Sequence, residues 1–218
     1  MFETVNVIGS GRVGSAVSAR LLERGVKLDG DAELVILCVP DSAIPGVARD
    51  LSVGPWIAHV SGATRLSALE PHSRRFSVHP LQTFTRARGA EQLDGAWAAV
   101  TGESDEARAA GFGLARTLGL RAFELADDAR PVYHAGAAIA SSYLVTLHEV
   151  ASELFRAAGA PPEALAPLMR RTIDNEFELT GPIERGDWET VEAHRRAIRA
   201  VRPELEPLYD LLAETTAR

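Results

Sequence analysis

Cysteine is almost missing from the chain: Cys38 is the single one among 218 residues. That excludes an internal disulfide framework and a cysteine-rich metal centre, and it suits a reducing compartment. Within the apolar run Leu34–Val39, Cys38 reads as a small buried hydrophobe. Long hydrophobic runs are also missing, since the longest, LVILCV, is far short of the roughly 20 residues of a membrane span. The opening MFETVNVIG carries no basic leader and goes straight into a strand pattern, so a cytoplasmic protein is expected. Basic charge is in deficit, with 23 Lys and Arg against 30 Asp and Glu and a formal net charge of −7. Nucleic acid and anionic membranes need a basic surface, so neither is expected as a partner, whereas a small polar molecule is. No metal site is expected.

What is present is an ordinary folded composition, 46% apolar and 24% charged, which excludes disorder. Short β-branched runs alternate with helical stretches in the first half, the pattern of a mostly parallel sheet covered by helices. Strands are expected at Thr4–Ile8, Leu34–Val39, Trp56–Val60, Phe76–His79, Trp97–Thr101 and Ala122–Leu125. Helices are expected at Arg12–Arg24, Ser42–Leu51 and Ser104–Leu118. From Pro131 onward only helical patterns occur, at Pro131–Ala158, Pro162–Leu179, Asp187–Val201 and Pro203–Thr215, with prolines near several starts. The expected architecture is therefore α/β, with a Rossmann-like domain over residues 1–126 and an all-helical domain over residues 127–218. The link lies in LADDARPV, Leu125 to Val132.

Gly9-Ser10-Gly11-Arg12-Val13-Gly14 is G-x-G-x-x-G directly after a strand and opening a helix, the context that makes it a dinucleotide fingerprint. Gly9 permits the turn, Gly11 admits a pyrophosphate, Gly14 allows close helix packing, and the helix N-terminus favours the phosphate charge. Arg12 can add a cationic contact. The usual continuation is a second strand ending in an acid about 20 residues on. Here only VKLDGDAE separates helix and strand, too short for a strand, a crossover helix and a turn. Lys27, Asp29 and Asp31 are the candidates for reading a ribose there, with a surface turn as the alternative.

Ligands of open α/β sheets sit beyond the carboxyl ends of the strands. Val39, Pro40 and Asp41 follow one strand, with Asp41 and Ser42 read either as a helix N-cap or as a lip over the nicotinamide. His59 and Ser61 follow another, and His79 with Pro80 and Gln82 a third. Two histidines and a serine on one edge supply a titratable proton donor and a hydroxyl that orients a carbonyl. Farther on, Ile139, Tyr143, Leu147, Val150 and Leu154 form an apolar stripe that faces a core or a second subunit. His134, Ser141 and His148 recur on nearly the opposite side, either solvated or, with Ser142, looking into a cleft between the domains. Asp187 reads as an N-cap. Arg185, in the preceding loop, can grip a carboxylate or remain solvated.

The segments VIGSGRVGSAV, LVILCVPDSAI, HVSGA, SVHPLQTF, YHAGAAIASSYLVTL and LTGPIERGD together resemble the bacterial proteins that join a Rossmann-like domain to a helical domain of unknown function. Several such proteins are similar to alternative ketopantoate reductases, within a superfamily that includes pyrroline-5-carboxylate reductases and 6-phosphogluconate and prephenate dehydrogenases. The resemblance implies NADP(H) as cofactor, with NAD(H) as the alternative, and a homodimer through the helical domain. It implies that His79, in a His-Pro pair like that of prephenate dehydrogenases, hydrogen-bonds the reacting oxygen, with Ser61 nearby. The lysine and asparagine of the 6-phosphogluconate dehydrogenase helix have no counterpart in YHAGAAIASSYL, and Ser142 stands where the closer family has asparagine. The expected reaction is reduction of a small 2-keto acid, ketopantoate for preference. His79 or His134 protonates the alkoxide, Ser61 orients it, and Arg185 or backbone N–H groups hold the carboxylate. His59, Gln82, Ser141 and Ser142 complete the expected substrate contacts. The rival expectation is a non-catalytic protein of the same fold that senses a nucleotide or small anion.

Overall fold

Apolar runs too short for helices and bounded by turns become the strands of one sheet in the computed structural model, which describes residues 2–218. In chain order the elements of the first part are β1 (Thr4–Ile8), α1 (Arg12–Glu23), β2 (Lys27–Leu28), β3 (Leu34–Leu37), α2 (Ile44–Asp50), β4 (Trp56–His59), β5 (Arg75–Leu81), β6 (Trp97–Gly102), α3 (Asp105–Thr117) and β7 (Arg121–Glu124). The strand order is β2-β1-β3-β4-β5-β6-β7, with β5 and β6 antiparallel and all other neighbours parallel. Every residue of β3 is buried, as expected of a central strand covered on both faces. One face carries α1 and α3 over Val5, Ile36, Trp56, Phe76 and Val100, and the other carries α2 and the turn Leu66–Leu69 over Val35, Leu37 and Ile57. The protein is thus α/β with a Rossmann-like sheet, followed by helices alone.

Two differences from the sequence expectation reshape the ligand edge. A strand does exist after α1: Lys27 N–H bonds Glu3 O at 3.0 Å and Asp29 N–H bonds Val5 O at 3.1 Å, which makes β2 a parallel neighbour of β1. Two residues suffice for these ladder bonds, so only the crossover helix between β2 and β3 is missing. Because β1 pairs β2 on one side and β3 on the other, the order reverses there, and the carboxyl ends of β1 and β3 form the crevice where such sheets take ligands. The second difference is that β5 does not end at His79 but runs to Leu81 along β6. Strand β4 stops at His59, paired with Ser77, so β5 carries His79 past the end of its neighbour.

The helices that follow are α4 (Arg130–Ala140), α5 (Ser142–Ala157), α6 (Leu165–Asp174), α7 (Trp188–Val201) and α8 (Glu206–Thr216). The single helix expected from Pro131 to Ala158 is broken at Ser141, which lies between α4 and α5 with a widened φ of −119° and a ψ of −73°. Serines compete for backbone hydrogen bonds and hold helices weakly. The helix expected to reach Leu179 stops at Asp174, because Glu176 and Phe177 take left-handed φ values of 56° and 62°. Asp41 lies in a 3₁₀ turn, Asp41–Ala43, and makes no cap hydrogen bond, so its N-cap reading is corrected. Asp187 does cap α7, accepting from Thr190 N–H at 3.1 Å and from its hydroxyl at 2.7 Å. Contacts divide the chain into two compact units, Met1–Ala138 and Ile139–Arg218, so the first turns of α4 belong with the sheet. Among the described residues no helix is long and apolar enough to cross a membrane.

Candidate active site

The turn after β1 is built by close packing. Gly9 has φ +116°, and a Cβ there would lie 2.4 Å from Cys38 O. A Cβ on Gly14 would lie 1.9 Å from Gly9 O. The turn therefore presses β1, α1 and the end of β3 together in a way only glycine allows. At Gly11, by contrast, nothing lies within 4 Å of such an atom, so the open side of the turn is bare backbone. Helix α1 begins with no side-chain cap and no acid in its first turn, which leaves the positive end of its dipole for a ligand. Cys38, tucked against Gly14, has its thiol pushed up to about 12 by burial; this keeps it an inert thiol, as its apolar setting predicts.

A loop after β5 is folded over the same turn. Buried Gln92 donates through Nε2 to the carbonyls of Thr85, Arg88 and Gly89 and accepts Thr85 N–H on Oε1 at 2.8 Å. Buried Arg20 ties the loop to α1 through Asp94 at 2.6 Å and Ala90 O at 2.9 Å. Arg12 reaches Phe84 O at 3.4 Å. The result is a cavity of about 340 Å³ whose lining includes Ser10, Gly11, Arg12, Ser15, Arg86 and Arg88. No acidic residue lines it among the described residues, so Arg12, Arg86 and Arg88 give it a basic wall, with Arg88 Nε also meeting Glu91 Oε1 at 3.4 Å.

Beyond β4 the chain turns at Ser61, whose hydroxyl donates to Thr64 Oγ1 at 2.9 Å and accepts the N–H groups of Ala63 and Thr64. This turn presents Gly62, and a Cβ there would lie 2.6 Å from His134 Cδ2 and 2.8 Å from His79 Cε1. The two imidazoles thus close over bare backbone. His79 Nδ1 meets the Tyr133 hydroxyl at 2.8 Å, with the rings at 87°, and His134 lies 6.0 Å from His79 between centroids. Burial, then the neighbouring His134 and Arg130, pushes His79 down to about 4, against a smaller opposing pull from Asp41. At neutral pH the ring is uncharged. A Tyr133 hydroxyl that donates to Nδ1 puts the ring hydrogen on Nε2, on the Gly62 side, and the other tautomer reverses that bond.

Beneath this edge lies a buried polar cluster. Arg130, 0% exposed, donates through Nη1 to Thr101 Oγ1 at 2.7 Å and through Nη2 to Ser77 Oγ at 2.8 Å and to Ser61 O. Thr101 in turn donates to Leu125 O at 2.8 Å. No carboxylate pairs with the guanidinium, and its Nε has no partner among the described residues.

The expected site residues fall into distinct groups. Gly9, Ser10, Gly11, Arg12, Val13 and Gly14 line or build the turn, and Val39, Pro40 and Asp41 follow β3 beside it. His79, His134 and Ser61 meet around Gly62, but Ser61 spends its hydroxyl on its own turn. His59, expected against the substrate, is instead 0% exposed. Its Nδ1 accepts Ser61 N–H at 3.2 Å, and burial foremost pushes it down to about 3. Gln82, also expected on the substrate, braces the loop through Gln92 O at 3.0 Å and Thr83 N–H at 2.8 Å. Ser141, Ser142 and Arg185 lie in the second unit, Arg185 bonded to Thr180 O at 3.2 Å. Sequence reasoning missed Tyr133, Gln92 and Arg130. Tyr133 sits beside His134 in the quoted YHAG and was open to notice; nothing local distinguishes a buried Arg130 from the other link charges.

Comparison with known proteins adds a family and a fold. The family described as a domain of unknown function (DUF2520) matches residues 96–216. A structure from Bacteroides fragilis, assigned provisionally as an NADP oxidoreductase, is 20% identical with a TM-score of 0.80, covering 99% of this chain and 98% of the other. A Thermotoga maritima protein is 26% identical with a TM-score of 0.79, covering 97% and 96%. A reductive aminase from Aspergillus terreus, in complex with NADPH and ethyl-5-oxohexanoate, is 18% identical with a TM-score of 0.68, covering 99% and 94%. No curated protein compared with the chain matches it.

Proposed function

Since the chain belongs to the DUF2520 family, whose description assigns no activity, its chemistry is read from the site, and we propose an NADP(H)-dependent oxidoreductase that reduces a small 2-keto acid, ketopantoate for preference. The observation that carries this reading is the uncharged His79, held by Tyr133 over Gly62 at the same sheet edge as the glycine turn. The turn fits a dinucleotide: bare backbone at Gly11, an uncapped helix start, and Arg12, Arg86 and Arg88 around a cavity without acids. Gly9 to Gly14 would hold the pyrophosphate, and Val39 to Asp41 would border the nicotinamide. NADP-type oxidoreductases among the structures of similar fold support the same cofactor, with NAD(H) as the alternative.

When bound, the nicotinamide supplies a hydride. The chain's own part begins with His79, whose Nε2–H donates to the substrate carbonyl oxygen as that oxygen gains negative charge. Tyr133 fixes the tautomer by donating to Nδ1. The proton that turns the alkoxide into a hydroxyl comes from water by way of His134, exposed at the edge, and Ser61 acts through the turn that presents Gly62. The test combines thermal-shift titration with NADPH, NADH, AMP and inorganic phosphate with NADPH oxidation over a keto-acid panel. NADPH-specific stabilisation, with oxidation lost in His79→Ala, is the expected result. The basic cavity also favours the rival reading of a non-catalytic anion sensor; stabilisation by AMP or phosphate alone, with no keto acid consumed, would replace the reductase by the sensor.

The partner proposal is a homodimer formed by the second unit. Ile139, Tyr143 and Val145 are 62%, 58% and 58% exposed on this chain, and a group of exposed apolar side chains is what an interaction surface offers a partner. Sedimentation velocity on the intact chain should give a dimer, lost on Tyr143→Asp; a monomer at micromolar concentration rejects it.

A further inference from the structure

We infer that Arg130 is a positioning residue whose charge is used as well as its hydrogen bonds: it ties the Gly62 turn to β5 and β6 and gives the His79 edge a positive potential that favours a ligand oxygen carrying developing negative charge. The role in turnover rests on the reductase reading above, whereas the electrostatic effect on His79 does not. All of the hydrogen-bond acceptors that Arg130 meets, Ser61 O, Ser77 Oγ and Thr101 Oγ1, are neutral. A neutral donor could make such ties. A buried guanidinium is costly to bring out of water, and ordinarily a carboxylate beside it offsets that cost. Here no carboxylate forms an ion pair with it among the described residues: Asp127, which together with Asp41 favours the charged guanidinium from a distance, has Oδ1 occupied by Leu66 N–H at 3.0 Å, and Arg130 Nε is left unpartnered. A charge with no direct ion-pair partner inside low-dielectric surroundings acts over several ångströms.

Its reach extends to both histidines of the edge, because Arg130 opposes protonation of His79 and of His59. The other charged or titratable groups around His79 are His134 and Tyr133 on α4, His59 at the end of β4, and Asp41 after β3. Only Asp41 favours a charged His79. One turn of α4 thus carries the positive charge at Arg130, the tautomer-setting hydroxyl at Tyr133 and the exposed imidazole at His134. Tyr133 and His134, three and four positions on, lie one turn along the same face of α4, so Arg130 meets Ser61, Ser77 and Thr101 while they meet His79.

The test uses the intact chain with labelled histidines and follows each imidazole by NMR against pH. In wild type, His79 should titrate near 4. Arg130→Lys, which keeps the charge, should leave that midpoint within half a unit, whereas Arg130→Gln, which keeps a donor but no charge, should raise it by about one unit, a tenfold gain in proton affinity. Arg130→Met serves as a second neutral variant, with cooperative melting as the check that each variant folds. Equal midpoints in the lysine and glutamine variants would overturn the proposal. If NADPH oxidation is also found, kcat should fall at least tenfold in Arg130→Gln with KM nearly unchanged. If no oxidation is found, the titration still decides whether the charge acts on His79, so the two readings fail separately.

Discussion

Gly62→Ala is expected to lower kcat/KM for keto-acid reduction by about a hundredfold while leaving NADPH affinity within about twofold. The added methyl would sit 2.6 Å from His134 Cδ2 and 2.8 and 2.9 Å from His79 Cε1 and Nε2, distances no carbon tolerates. Gly62 is buried in its turn, which Ser61 and Thr64 hold by hydrogen bonds, so the rings must give way. His79 is itself held by Tyr133 at 2.8 Å, and moving the ring breaks that bond or shifts Tyr133 with it. A misplacement near 1 Å at a reacting group costs on the order of a hundredfold. The glycine turn proposed to hold the cofactor follows a different strand, β1, and is not touched. Steady-state rates with a direct NADPH binding titration check both halves. Full activity in Gly62→Ala would show that the ligand oxygen does not meet His79 from this side.

Gly14→Ala should do the reverse, with loss of NADPH binding and a large loss of stability, on the order of 3 kcal/mol, the upper end for overpacking. A Cβ at this position falls 1.9 Å from Gly9 O and 3.1 Å from Cys38 Cβ. The first contact is backbone against backbone, so no rotamer change relieves it. Gly9 cannot retreat either, because its own hypothetical Cβ already lies 2.4 Å from Cys38 O. Helix α1 must lift off β1 and carry its uncapped N-terminus away from the pyrophosphate position. Chemical denaturation and NADPH titration measure the two effects together. A variant that keeps wild-type stability and wild-type affinity would mean that the turn is looser than these contacts require, and the dinucleotide reading would lose its main geometric support.

Much of the first unit was legible along the chain. The strands beginning at Thr4, Leu34, Trp56 and Trp97 start where their apolar runs and turn residues place them, because alternation and β-branching act locally. The glycine turn and the Asp187 cap were readable for the same reason. Departures occur where weak local signals were outvoted: β2 exists because the edge of β1 offered Lys27 and Asp29 backbone partners, and the long helix breaks at Ser141 where two serines follow small residues. For the candidate site, His79, Ser61 and His134 were singled out from their positions at strand ends and on one helix, and the structure brings them together around Gly62. His59 and Gln82 were assigned to the substrate on the same logic, yet one is sealed under the edge and the other braces a loop.

Composition, hydrophobic period and the glycine spacing thus sufficed for an α/β unit followed by helices and for a dinucleotide-type turn after the first strand, since each depends on residues within about a dozen positions. Which polar groups meet was beyond them. Tyr133 reaches His79 across 54 residues and Arg130 reaches Ser61 across 69, and those meetings depend on the register of β4 against β5, on β5 outrunning its neighbour, and on where α4 lands. Burial follows from the same packing: it turns an arginine in a charged link into an enclosed cation and a histidine with ordinary chemistry into an uncharged hydrogen-bond donor, because the cost of desolvation is set by everything that surrounds a group and not by its neighbours in the chain.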